Sequence, residues 1–151
     1  MSGVTDTAPA DLDEAIAEVE QGLGVLFGRV RLVYKDAAAR IHPELRPVGY
    51  KILSTVVRLG ETSASAIADT IETDKAVVSR QVKMLEDVGL VVSRVDANDG
   101  RARVLSATPA AIELVKAARA TQQARLRDLL RSRPEAEIRA FADMIRLIAQ
   151  V

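Results

Sequence analysis

The chain has 151 residues, enough for one domain whose hydrophobic core needs no disulfide or structural metal. It has no cysteine and a single histidine, which excludes disulfides, thiolate chemistry and a histidine-based metal cluster. Lysine and arginine together number 21, as do aspartate and glutamate, so the formal net charge is zero. Such a balance gives no general attraction to nucleic acid, and any site of that kind must come from local placement of charge.

The sequence also bears on where the protein works. No apolar run approaches the roughly 18 residues that a membrane span requires. The N-terminus is polar and acidic, unlike a signal peptide. We therefore expect a soluble cytoplasmic protein with no membrane, metal or cofactor among its partners. Residues 1–10 are mostly small and polar and are predicted to be flexible.

A long helix is predicted at 11–40, where no proline interrupts the pattern. Its apolar residues recur at alternating steps of three and four, the narrow stripe of a helix that packs against another helix. A second stripe of this kind follows Pro134, where the last helix is predicted to begin. The residues predicted to form a dimer interface are Ile16, Val19, Leu23, Leu26, Ile138, Phe141, Ile145 and Ile148.

Between these ends, prolines and capping residues mark shorter elements. Pro47 suits the first turn of a second helix, because proline tolerates that position. Two short helices follow, and a tight turn connects them. Ser63 or Ser65 is predicted to cap the first of them, and Thr73 or Asp74 the second.

After the short helices the periodicity changes from 3.6 to 2, which is typical of strands. Residues 91–107 are predicted to form a β-hairpin, because a turn-rich stretch at 96–100 separates two strand-like runs. Thr108 followed by Pro109 marks the start of a helix that runs to about Arg131. The predicted order is therefore two helices, two short helices, a hairpin and two helices.

The second short helix has two distinct faces. One face is predicted to be buried and holds Val78, Val82 and Leu85 at helical spacing. The opposite face has small residues near the helix start and cations beyond, the shape that a helix in the DNA major groove needs. That face comprises Ala76, Ser79, Arg80 and Lys83. The alternative is that these cations are ordinary solvated charges. Glu86 and Asp87 are expected to lie at the far end of the helix, away from any groove.

Two segments resemble a known family. The run AVVSRQVKMLEDVGLV (76–91) is similar to the recognition helix, and the exit from it, of the MarR (multiple antibiotic resistance repressor) family. The run DANDGRARVLSATPAA (96–111) resembles that family's wing, an Asp-rich turn followed by basic residues, a strand and a threonine that opens the next helix. The resemblance covers about residues 11–151. The chain departs from the family pattern at Glu72, where glycine is more usual, and at Asn98, where a charged residue is common.

The resemblance implies a mainly α fold of the α+β type, with a winged helix-turn-helix at 47–108 whose wing is the hairpin 91–107. It implies one domain over 11–151, in which the helices at 11–40 and 109–151 form a homodimer. Such a dimer presents two recognition helices to a pseudo-palindromic site on double-stranded DNA, with half-sites about one helical turn apart. The family often answers to a small-molecule effector, and the sequence assigns no residue to effector binding.

The residues predicted to contact DNA are cations, small residues and serines of the helix-turn-helix and the wing. They are Ser63, Ser65, Lys75, Ala76, Val77, Ser79, Arg80, Lys83, Arg94, Arg101 and Arg103. By resemblance, Arg101 is placed in the minor groove beside the half-site. Arg103 either contacts DNA as well or pairs with Asp96 or Asp99, which are predicted to brace the hairpin.

The leading interpretation is a DNA-binding transcriptional regulator, a repressor that a small molecule releases from its operator. An alternative is a dimeric winged-helix scaffold that binds protein partners and has little affinity for DNA, which the neutral net charge favours. A third is that the N-terminal stripe is an autonomous coiled-coil module. One histidine and no cysteine cannot supply a set of nucleophile, base and orienting group, so no enzyme activity is expected.

Overall fold

A computed structural model describes residues 9–150, and this part of the chain is mainly helical with one small antiparallel sheet. The elements are α1 (Pro9–Ile41), α2 (Pro47–Leu59), α3 (Ala64–Ile71), α4 (Lys75–Asp87), β1 (Val91–Val95), β2 (Arg103–Ala107), α5 (Pro109–Arg131) and α6 (Glu135–Ile148). The predicted fold class is confirmed. The helix α1 begins at Pro9, two positions before the predicted start at residue 11, and residues 1–8, which are predicted to be flexible, lie outside the described part.

Close contacts divide the chain into two compact units, one that ends at Lys51 and one that begins at Ile52. In the first unit, the rings of Tyr34 on α1 and Tyr50 on α2 pack with their centroids 5.6 Å apart. Ala37 and Ala38 of α1 are buried as well. Aromatic contact of this kind adds to the burial of apolar area, so the end of the long helix is held at the start of α2.

The second unit has a core to which the helix-turn-helix, the hairpin and α5 all contribute. Fully buried side chains include Ile67 of α3, Leu85 of α4, Val91 of β1 and Val115 of α5. Burying one such side chain stabilises the fold by about 1.5 to 3 kcal/mol relative to leaving it exposed. Because these residues share one core, α4 and the base of the hairpin pack together.

The hairpin is paired antiparallel, with Ser93 opposite Leu105. Thr62 extends the sheet beyond β2, since its N–H donates to the Leu105 carbonyl at 3.0 Å and the Leu105 N–H donates to the Thr62 carbonyl at 2.7 Å. At the base of the hairpin, the Thr108 hydroxyl donates to the Gly89 carbonyl at 3.0 Å and accepts from the Ala111 N–H at 3.3 Å. The predicted cap of α5 therefore also closes the hairpin.

Side-chain caps fix the starts of α3, α4 and α5, as the sequence predicts. Ser63, of the two candidates, caps α3 by accepting from the Ala66 N–H at 3.1 Å. Pro134 differs from its prediction, since it is the N-cap residue and α6 begins one position later, at Glu135. None of the helices between residues 9 and 150 has both the length and the apolar character needed to span a bilayer.

The turn between α3 and α4 contains one backbone position that ordinarily favours glycine. Glu72 ends α3 with φ 52° and ψ 54°, and its N–H donates to the Ala68 carbonyl. It is the only non-glycine residue between 9 and 150 with a positive φ. A side chain in the left-handed region costs about 1 to 2 kcal/mol because Cβ crowds the following carbonyl oxygen. The turn of the helix-turn-helix is therefore under local strain.

Replacing Glu72 with glycine should relieve this strain. We expect Glu72→Gly to raise the free energy of unfolding by about 0.5 to 1 kcal/mol, the part of the gain that survives glycine's greater freedom in the unfolded chain. Urea denaturation followed by circular dichroism measures the change. Glu72→Ala is the matched control, because it removes the same charge and keeps Cβ. An equal gain in both variants would assign the effect to the charge and contradict the backbone explanation.

Candidate nucleic-acid interface

The helix α4 begins at Lys75, directly after a capping carboxylate. Asp74 has an extended backbone, and its Oδ1 accepts from the Ala76 N–H at 2.6 Å. A carboxylate at this position satisfies an N–H that has no partner inside the helix and lies at the positive end of the helix dipole. Of the two predicted capping residues, the structure therefore uses Asp74.

The two predicted faces of α4 are both observed. Val78, Val82 and Leu85 are buried. The predicted outward face, with its small residues near the helix start and cations beyond, is exposed. Its members are Ala76, Ser79, Arg80 and Lys83. The neighbouring Val77 is half-buried, and Lys75 is exposed.

An open cleft of about 500 Å³ lies between the start of α3, the helix α4 and the inner face of the hairpin. Several residues predicted to contact DNA line it together. They are Ser63, Ser65, Lys75, Ser79, Arg101 and Arg103. The side chains of Lys75 and Arg101 make no hydrogen bond or ion pair with any residue between 9 and 150. The cleft therefore has two cations that are free to meet an external anion.

The cleft leaves out some of the predicted contacts. Ala76, Arg80 and Lys83 belong to the exposed outward face of α4 and do not line the cleft, and neither does Val77. The predicted residues thus fall on two surfaces, the outward face of α4 and the cleft beside it.

Arg94 is placed apart from both surfaces. Successive side chains of a strand point to opposite faces, so Arg94 points away from the face that carries its neighbour Ser93. Its guanidinium donates two hydrogen bonds to the Glu61 carboxylate, at 2.9 and 3.0 Å. Both side chains are more than half exposed, so the pair contributes about 0 to 1 kcal/mol. The structure does not bring Arg94 to the cleft.

The wing turn is shaped by two aspartates. Asp96 Oδ1 accepts from the Asn98 N–H at 2.8 Å, and Asp99 Oδ1 accepts from the Arg101 N–H at 3.0 Å. Such bonds between an Asp side chain and the backbone two residues later stabilise turns. Neither aspartate pairs with Arg103, whose Nε donates to Ser93 Oγ at 3.2 Å. The expectation of an ion pair between Arg103 and Asp96 or Asp99 is therefore wrong, because the strand register turns Arg103 toward Ser93.

Glu86 is a residue of the cleft that the sequence does not identify. It lies in the last turn of α4, as predicted, and it also lines the cleft and accepts a hydrogen bond from the Ser93 hydroxyl. The alternation of side chains along β1 could have indicated this contact. Ser93 lies on the same face of β1 as the buried Val91, and a polar side chain on an inward face requires a partner.

The chemistry of the cleft suits an anionic polymer and not a metal ion. Its charged lining consists of Lys75, Arg101 and Arg103 against Glu86 and Asp99, and both carboxylates already accept hydrogen bonds from the protein. Between residues 9 and 150, no group of three or more His, Cys, Asp or Glu side chains could hold a metal ion.

Comparison with known proteins finds a match for the region that contains most of these residues. Residues 45–102 match the sequence model of the MarR family. In sequence, this segment is therefore similar to the MarR family. The match includes α3, α4 and β1, so the outward face of α4 lies within the matched segment. No curated protein matches the sequence closely enough to count as a relative.

Solved structures of low sequence identity share the fold of this chain. YusO of Bacillus subtilis is 20% identical, with a TM-score of 0.72, over 92% of this chain and 97% of its own. FabT of Streptococcus pneumoniae, solved in complex with DNA, is 13% identical, with a TM-score of 0.80, over 89% and 95%. MarR of E. coli in its apo form is 11% identical, with a TM-score of 0.69, over 85% and 94%. At these identities the likeness establishes the winged-helix fold.

The cap of α4 can be tested by removing its acceptor. We expect Asp74→Ala to lower the free energy of unfolding by about 1 kcal/mol, because the Ala76 N–H loses its partner at the helix start. Asp74→Asn is the matched control, since it removes the charge and keeps an acceptor oxygen. Thermal and urea denaturation of the three proteins measure the difference. If alanine and asparagine were equally destabilising, the charge and not the capping bond would be responsible.

Proposed function

We propose that this protein is a sequence-specific DNA-binding transcriptional regulator that acts as a homodimer on a pseudo-palindromic operator. The observation that carries the proposal is the exposed outward face of α4, with small residues first and cations beyond, beside a cleft with two free cations. The fold it shares with FabT, which was solved in complex with DNA, supports the same conclusion.

In this proposal α4 is the recognition helix and enters the major groove. Ala76 and Val77, near its start, allow close approach and offer methyl groups to thymine. Arg80 and Lys83 follow on the exposed side of the helix and reach guanine edges or phosphates. Ser79 lies between these pairs and lines the cleft as well.

The cleft would receive the DNA backbone next to that groove. Ser63 and Ser65 lie at the start of α3, where N–H groups and the helix dipole attract phosphate oxygens. Lys75 adds a free cation on the opposite wall. Arg101 extends from the wing turn, where the bond from its N–H to Asp99 fixes its backbone, toward the flanking minor groove.

A dimer would account for the apolar surface that a single chain leaves uncovered. On α1, Ile16, Val19 and Leu26 are exposed and Leu23 is half-buried. On α6, the exposed residues at the same helical spacing are Phe141, Ile145 and Ile148, and Ile138 is half-buried. A groove of about 470 Å³, lined in part by Ile138 and Phe141, lies between the end of α5 and α6. Soluble monomers rarely expose large apolar patches, and a second copy that packed on each stripe would cover it.

The proposed regulator represses by occupying its operator and is released by a small molecule. Release requires that the ligand bind more tightly to a form of the dimer whose recognition helices do not match the half-site spacing. The resemblance to the MarR family supports this step. Catalysis plays no part in it.

DNA recognition is tested on an operator obtained by selection from random DNA and then compared with scrambled DNA. We expect Arg80→Ala to weaken operator binding about tenfold or more and to reduce the preference over scrambled DNA, because the variant loses a contact to a base edge or phosphate. Fluorescence anisotropy at several salt concentrations measures affinity and salt slope, and the slope falls by about 0.9 if a phosphate contact is lost.

Arg125→Ala is the matched control, because Arg125 is an exposed cation of α5 that does not line the cleft. It removes the same charge and should leave affinity nearly unchanged. An equal loss in both variants would indicate general electrostatic attraction and contradict recognition by α4. If selection enriches no sequence and binding is weak throughout, the alternative of a protein-binding scaffold replaces the proposal.

The dimer interface is tested on α6. We expect Ile145→Asp to shift the protein from dimer to monomer at micromolar concentration, because a buried unpaired carboxylate opposes association. Arg146→Asp is the matched control at the next position, on the polar side of α6, where Arg146 pairs with Asp143. Sedimentation velocity over a range of concentrations measures the association. Dimers of equal stability in both variants would show that this stripe is not the interface.

A further inference from the structure

Three side chains connect the recognition helix to both strands of the wing. The Ser93 hydroxyl on β1 donates to the Glu86 carboxylate in the last turn of α4. The same oxygen accepts from the Arg103 guanidinium on β2, with Nε at 3.2 Å and Nη2 also bonded. We call this set of Glu86, Ser93 and Arg103 the wing relay.

The register of the hairpin makes the wing relay possible. Ser93 lies opposite Leu105, and Val95 lies opposite Arg103. Arg103 is thus the diagonal neighbour of Ser93 on the same face of the sheet, within reach of a long side chain. That face lines the cleft, together with Glu86. One hydroxyl therefore connects three elements that are distant in sequence.

The bonding capacity of Ser93 is well matched to this position. A serine hydroxyl has one proton to donate and lone pairs to accept with. Here the hydroxyl donates a hydrogen bond to a carboxylate and accepts one from a guanidinium. Both hydrogen bonds therefore involve a charged partner and are stronger than hydrogen bonds between neutral groups. The guanidinium of Arg103 consequently bonds to a protein atom on the side of the hairpin that faces α4.

The tip of the wing depends on such a connection. Thr62 secures the sheet at Leu105, and the Glu61–Arg94 pair acts on the opposite face. On the cleft side, the Ser93–Glu86 hydrogen bond is the one that joins the hairpin to α4 between residues 9 and 150, and the bonds from Arg103 to Ser93 extend it to β2. Arg101 precedes Arg103 by two residues in the chain. The orientation of β2 relative to α4 therefore determines the direction of the Arg101 side chain.

We propose that Glu86 is a positioning residue for DNA binding, which acts through Ser93 and Arg103 to hold the wing at the angle that presents Arg101 to the DNA. The inference rests on the proposed DNA-binding function. It also assigns Arg103 to the scaffold of the interface rather than to the contacts with DNA.

Electrostatics and positioning make opposite predictions for Glu86. Removing a carboxylate from a surface that faces phosphates strengthens attraction, so by charge alone Glu86→Ala binds DNA more tightly. If Glu86 instead positions the wing, Glu86→Ala releases Ser93 and Arg103, and the variant binds the operator about tenfold more weakly. A loss of this size is expected when a charge-assisted hydrogen bond is removed. Asp87→Ala removes the same charge from the next, exposed position and should bind as tightly as the unaltered protein or more tightly.

Two further variants separate the relay from the charge. Glu86→Gln keeps an acceptor oxygen for Ser93 and should restore binding to at least the original level. Ser93→Ala breaks the relay with no change of charge and should weaken binding as much as Glu86→Ala does. In the Arg101→Ala background, Glu86→Ala should have almost no further effect, because the wing then has no contact left to position.

A readout without DNA completes the test. Hydrogen exchange of the free protein should show faster exchange of the backbone N–H groups of residues 96–103 in Glu86→Ala and Ser93→Ala, and unchanged exchange in Asp87→Ala. Unchanged exchange in all variants overturns the relay as a brace. Faster exchange with unaltered operator affinity overturns its role in DNA binding. If the unaltered protein binds no DNA specifically, the proposed function fails, and exchange alone still decides whether Glu86 holds the wing.

Discussion

The burial of one side of α4 is the interaction on which the rest of the molecule depends. Val78, Val82 and Leu85 are anchored in a core shared with α3, the hairpin and α5. Because side chains on a helix cannot change face without rotating the whole helix, that anchorage determines which residues look outward. The exposed row of small residues and cations and the position of the cleft beside it both follow from this packing arrangement.

Local rules accounted for most of the architecture. The spacing of apolar residues, the prolines and the capping residues predicted the hairpin at 91–107, the cap at Thr108 and the two faces of α4. Each of these features depends on residues within a few positions of one another in the sequence. They did not predict the partners of Glu86, Arg94 or Arg103. Those contacts join residues that are 7 to 33 positions apart, and they depend on the sheet register and on where α4 ends against the hairpin. Which long side chain meets which is therefore tertiary information.

The neutral composition also has a physical explanation at the candidate interface. Glu61 is paired with Arg94, Glu86 accepts from Ser93, and Asp96 and Asp99 accept from the backbone of the wing turn. These carboxylates serve the protein's own hydrogen bonds, whereas Lys75 and Arg101 remain open to the cleft. The net charge of the whole chain does not distinguish carboxylates that are hydrogen-bonded within the protein from cations that are open to the cleft. The arrangement of charge, and not its sum, describes what the surface can attract.

The junction between the wing and α5 consists of one residue. The strand β2 ends at Ala107 and α5 begins at Pro109, and Thr108 between them is fixed by its hydroxyl to both sides. A 23-residue helix is about 35 Å long, and there is no loop at this joint to absorb a change in its direction. Thr108 therefore couples the direction of β2 to that of the first turn of α5. Inserting a few glycines at this joint would remove that coupling, because a glycine linker is flexible.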